Sequence, residues 1–140
     1  MLAEVLLLCF ARRALEQRRP TTLLVLGGGG AVVRWVVIGA TTSVPVLFAV
    51  NWLHALSFAA TYVGAIRAIE RRVPAAQRGT AQGILGAATS GVGMVVCGLS
   101  GGFAFEAYGA RAYYLMALFA AVGVAVAAWL RRAQDAAEQA

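Results

Sequence analysis

Four apolar runs, each about as long as a bilayer is thick, leave this chain of 140 residues little freedom in what it can fold into. They cover about 20–41, 45–68, 79–105 and 110–130. An α-helix rises about 1.5 Å per residue, so roughly 20 apolar residues cross the hydrocarbon layer. Hydrophobic residues make up 61% of the chain and charged residues 13%, against about 25% charged in ordinary globular proteins. The polar residues are too few to cover a water-facing surface. In lipid each backbone group must find its partner within the segment, and the reading is an all-α membrane protein with four full transmembrane helices.

The start of the chain differs. Residues 1–11 are apolar apart from Glu4, but the run stops after about half a span at Arg12-Arg13. A signal peptide carries its charge before the apolar core, and here the order is reversed. The segment reads as the second half of a helix whose first half is missing, and the chain as truncated.

The basic side consists of twelve arginines and no lysine, which excludes a Walker-type phosphate loop. Arg12, Arg13, Arg18 and Arg19 separate the half helix from the next run. Arg67, Arg71, Arg72 and Arg78 separate the third and fourth segments, and Arg131 and Arg132 follow the last. The alternate connections hold only Arg111, opposite Glu106. Clusters between apolar runs follow the positive-inside pattern rather than a nucleic-acid patch, so no nucleic-acid partner is expected. The arginine-rich loops and the C-terminus are expected on the cytoplasmic side of the inner membrane, with Trp129 as an interfacial anchor and residues 133–140 as a fraying polar tail. Cys9 and Cys97 sit apart within apolar stretches, and with one histidine they make no metal site. No nucleophile and base pair up, so an enzyme is not expected.

Ionisable groups inside spans are functional candidates by default. Arg34 lies about fourteen residues beyond Pro20, which by that measure is too deep for its side chain to snorkel. It reads as facing a cavity or an ion-pair partner. Asn51, His54, Ser57 and Thr61, spaced three, three and four apart, share one helical face and read as a cavity lining. For Ser57 and Thr61 helix packing is the better reading, whereas histidine as a residue type changes charge near physiological pH, which makes His54 a candidate for binding or proton handling. Glu4 either pairs with Arg34 or carries a proton. In the glycine-rich fourth segment, Gly79/Gly83 and Gly98/Gly102 have GxxxG spacing and are expected to pack closely against neighbours. Gly27 to Gly30 either soften the second helix or let a neighbour lie tight against it.

Several stretches together resemble the major facilitator superfamily, in its branch of lactose permease-like and phenylpropionate permease-like proton symporters. They are Glu4-Val5 with Phe10-Ala11-Arg12-Arg13, Arg34-Trp35, Leu53-His54-Ala55-Leu56-Ser57-Phe58, Arg72-Val73-Pro74, Thr80-Ala81-Gln82, and Gly101-Gly102-Phe103 before Tyr108-Gly109. The resemblance implies that residues 1–132 are helices 8 (half) to 12 of a twelve-helix fold. It further implies a secondary transporter that moves a small solute with a proton by alternating access, needs no cofactor, and lacks its N-terminal half here. Arg34 and His54 match the buried arginine and histidine that serve proton coupling and solute binding in lactose permease-like members. Asn51 stands where the sugar-transporting member has a lysine. Ser57 stands where that member has a proton-coupling glutamate, and serine cannot carry that proton. Glu4 lies about a turn from the helix 8 glutamate. Two rival readings are a small four-helix homodimeric transporter centred on Glu4 and a non-transporting accessory subunit packed through its glycine faces.

Overall fold

Pro20 opens the first described helix, where a missing N–H is harmless and the fixed φ suits the first turn. The computed structural model describes residues 18–139, with side-chain surroundings described to 137. The expected half helix and Glu4 lie outside these residues. Helix α1 is Pro20–Ala40. It stops where Thr41 takes an extended conformation and its Oγ1 accepts the Ser43 N–H at 3.1 Å. Pro45 then sits in the first turn of α2, Val44–Arg72. At 29 residues α2 is about 43 Å long, longer than an apolar layer of about 30 Å. It continues four residues past the expected end at Ala68, carrying Arg71 and Arg72 in its last turn.

A short 3₁₀ turn at Ala75–Gln77 leads into α3, Arg78–Gly86. Arg78 closes the corner, donating from Nη2 to the Glu70 carbonyl at 2.8 Å and from Nε to the Val73 carbonyl at 3.2 Å. Residues Ala87–Gly93 then widen into a π-helical run before α4, Met94–Tyr108. The run fits its sequence. Gly86, Gly91 and Gly93 hold helical geometry weakly, and Thr89 Oγ1 bonds back to the Leu85 carbonyl at 2.8 Å. At Gly93 a side chain would meet the Ala88 carbonyl oxygen at 3.0 Å. Gly109, at φ 57°, turns the chain through a 3₁₀ segment, Gly109–Ala112, into α5, Tyr113–Gln139. Helix α5 starts three residues later than expected and runs on to Gln139, so the predicted fraying tail is helical through the described residues.

Among the described residues three helical stretches are long and apolar enough to cross a membrane: Pro20–Ala40, Val44–Arg72, and the 63 residues Ala75–Ala137, which bend at Gly109. Helix α1 packs against both α2 and α5. Glycines make the α1–α2 crossing close: a side chain at Gly27 would strike the Thr61 hydroxyl and would lie 2.7 Å from the Ser57 carbonyl. Gly64 sits against the Pro20 carbonyl and Leu23 in the same way. Of the two readings for Gly27 to Gly30, close approach is the one realised.

The glycine-rich fourth segment behaves differently. At Gly79, Gly83, Gly98 and Gly102 a side chain would meet nothing within 4 Å among the described residues, so the close packing expected there is absent from this part of the molecule. The physical reason is that α3 and α4 bury no residue at all. Leu23 alone among large described side chains is fully buried, while Phe103 is 72% and Phe48 71% exposed. Such a surface suits hydrocarbon rather than water.

Candidate functional site

Arg34 stands on α1 six residues before Ala40, about 9 Å from the helix end. Counted from Pro20 it looked deep; counted from the nearer end it is within two turns, inside the range of a snorkelling arginine. Its guanidinium carbon lies 3.9 Å over the Trp35 ring, a cation–π arrangement. Nε is buried without a hydrogen-bond partner among the described residues. Trp35 in turn stacks on Tyr113 at 5.7 Å, and Tyr113 meets Phe105 edge-on at 6.3 Å. Tyr114 packs over Gly39. One cation and four aromatic rings from α1, α4 and α5 thus gather at the end of the bundle away from the arginine-rich loops. Sequence reasoning found Arg34 and missed the rings. The available signal was Trp35, Phe105, Tyr113 and Tyr114 lying within a few residues of helix ends, where amphipathic rings collect.

The polar stripe on α2 divides. Ser57 is 5% exposed and faces Gly27 and Gly30 of α1. Its hydroxyl donates to the His54 carbonyl at 3.0 Å, and Thr61 Oγ1 donates to the Ser57 carbonyl at 2.8 Å. Both hydroxyls are satisfied by their own helix, and Thr61, exposed, also lines a cavity between α2 and the π-helical run. Asn51 is exposed, in a shallow hollow with Val44, Leu47 and Phe48. His54 is half-buried, its ring 6.0 Å from Phe58. Spacing placed the four residues on one side of α2; the crossing with α1 buries Ser57, while Asn51 and Thr61 stay exposed and His54 half-buried.

A larger cavity of about 540 Å³ opens between α2 and the π-helical run. Phe58, Tyr62 and Ile66 line one side, and Gln82, Thr89 and Ser90 the other. It is mostly apolar with a few neutral hydrogen-bonding groups, the usual make-up of a small-molecule pocket.

The bundle, its lipid-suited surface and its long apolar helices define a multi-pass helical membrane protein. Residues 1–116 match the MFS_1 like family, and the chain belongs to that family, within the major facilitator superfamily. Over 124 residues it is 27% identical to a protein of Escherichia coli (strain K12) named as a probable 3-phenylpropionic acid transporter. That match covers 86% of this chain and 31% of the relative, so the chain spans about a third of the relative's length. No solved structure matches the chain.

Proposed function

We propose that the chain is the C-terminal portion of a secondary transporter of the inner membrane that carries a small carboxylate solute together with a proton. The family match over residues 1–116 carries this reading. In it, the 63-residue stretch makes two passes hinged at Gly109, because a straight helix of that length would be about 95 Å long, three times the apolar layer. The count becomes four passes among the described residues. The arginine-rich end faces the cytoplasm.

Arg34 is the anion-binding group, and the aromatic rings around it suit a solute with an aromatic or apolar body, as the relative's printed substrate has. His54 serves the proton step. Asn51 is a supporting polar contact, Ser57 holds the α1–α2 crossing beside it, and Glu4 is a second proton carrier. The partner half, preceding this sequence, completes the cavity, and the two halves rock about it.

The test is uptake of labelled 3-phenylpropionate into proteoliposomes with an alkaline interior. The chain joined to its preceding half should accumulate the solute, and the 140-residue chain alone should not. Saturable uptake by the chain alone would replace this reading with the homodimeric transporter. Absence of proton-driven uptake of any small carboxylate by the joined protein would overturn it.

A further inference from the structure

The arginines at one end of the bundle fall into two sets. In the first, the side chains are tied into the protein. Arg19 Nη1 pairs with Asp135 Oδ1 at 2.5 Å, joining the start of α1 to the end of α5. Arg131 reaches the same carboxylate at 3.9 Å. Arg67 donates to the Arg18 carbonyl at 3.2 Å, joining α2 to α1, and Arg78 caps the end of α2. These contacts gather three helix ends into one surface. In the second set, Arg18, Arg71, Arg72 and Arg132 are exposed, and none donates a hydrogen bond or forms an ion pair among the described residues. Eight arginines share this end with only two carboxylates whose surroundings are described, Glu70 and Asp135, and Asp135 is already engaged.

We infer that this surface is a binding site for anionic phospholipid headgroups, with Arg18, Arg71, Arg72 and Arg132 as the groups that meet them. Four exposed like charges at one end of the bundle favour anions, and a guanidinium matches a phosphate with paired hydrogen bonds. Two features select lipid over a dissolved anion. The arginines begin where the exposed apolar helix surfaces end, so a phosphate bound there has its acyl chains alongside those surfaces. Trp129, 67% exposed and three residues before Arg132, belongs at headgroup depth. Basic clusters at the ends of membrane helices attract anionic lipid by about 1 kcal/mol per arginine, roughly fivefold each.

The test uses the chain in nanodiscs of mixed phosphatidylglycerol and phosphatidylcholine, symmetric so that orientation does not matter. The readout is the ratio of the two lipids retained on release, by native mass spectrometry. The wild type should enrich phosphatidylglycerol. Arg71→Gln with Arg72→Gln should lower that enrichment about 25-fold, the fivefold effect taken twice. Neither side chain has a hydrogen bond or ion pair to lose among the described residues, so folding should survive. Arg71→Lys with Arg72→Lys, which keeps the charge, should retain most of the enrichment, as should Arg111→Gln at the opposite end. Wild-type enrichment in the double glutamine variant, or an equal loss in Arg111→Gln, would overturn the site. Displacement of the lipid by millimolar inorganic phosphate would overturn it in favour of a free-anion site.

Discussion

Replacing Gly27 and Gly29 by alanine, one at a time, isolates the energy of the α1–α2 crossing. Both glycines lie inside α1, and in each case alanine should gain about 1 kcal/mol of helix propensity. At Gly29 the new methyl meets nothing within 4 Å. At Gly27 it meets the Thr61 hydroxyl, with the Ser57 carbonyl at 2.7 Å and the Thr61 nitrogen at 2.8 Å. Ordinary contact begins near 3.4 Å, and two of these neighbours are backbone, so α2 must retreat by more than half an ångström. The retreat also loosens Leu23 and Ala60, the buried pair beside the crossing. Overpacking of this kind costs about 1–3 kcal/mol. Propensity cancels between the two variants, so Gly27→Ala should be less stable than Gly29→Ala by about 1–3 kcal/mol. Unfolding by titration of a denaturing detergent, followed by circular dichroism, measures the difference. Equal stability, or a more stable Gly27→Ala, would refute the close crossing and with it the burial of Ser57.

Four other outcomes are expected. In the joined transporter Arg34→Ala should abolish uptake and Arg34→Lys should rescue it poorly, because an ammonium lacks the planar fork that stacks on Trp35; wild-type uptake per folded molecule in Arg34→Ala would make this residue structural. His54→Gln should still exchange solute while losing uphill accumulation, which counterflow and pH-driven uptake distinguish. Asp135→Asn should lower thermal stability by less than about 1 kcal/mol, since the pair with Arg19 is largely exposed, and the difference should vanish in molar salt. Cysteines placed at Ala76 and Ala136 should react only from the cytoplasmic side and one at Thr42 only from outside; labelling of Ala76 from outside in sealed cells would reverse the orientation.

The helices were legible because apolar length and arginine punctuation are one-dimensional signals. Pro20 and Pro45 announced helix starts, and the cap at Val73, next to Pro74, falls where a residue before proline leaves helical geometry. The far limit of α5 was hidden, since Ala133 to Gln139 are good helix formers that a polar reading takes for a tail. At the site, spacing gave the face of each residue on its own helix. Which face meets a neighbour depends on the crossing, and that turned on Gly27 and Gly64 at distant positions in sequence. The same limit explains Arg34: its depth depends on the nearer helix end, and the bend after Ala40 is built from Thr41 and Pro45 rather than from charge.

The wide run at Ala87–Gly93 has a consequence for the phase of its helix. Gly79 and Gly98 are nineteen residues apart, and a regular helix turning about 100° per residue would leave them about 100° out of line. A π-helical run accommodates about one extra residue, so the chain beyond it lags by about the same angle. The two effects cancel. Gly79, Gly83, Gly98 and Gly102 therefore fall along one line on a stretch spanning both α3 and α4, open along its length among the described residues. Two short motifs that look separate in sequence become a single groove only because the helix is locally overfull. Deleting one residue between 87 and 93 would return the run to regular helix, and the remaining eighteen-residue spacing, five full turns, would keep the Gly98/Gly102 pair on the line of Gly79/Gly83.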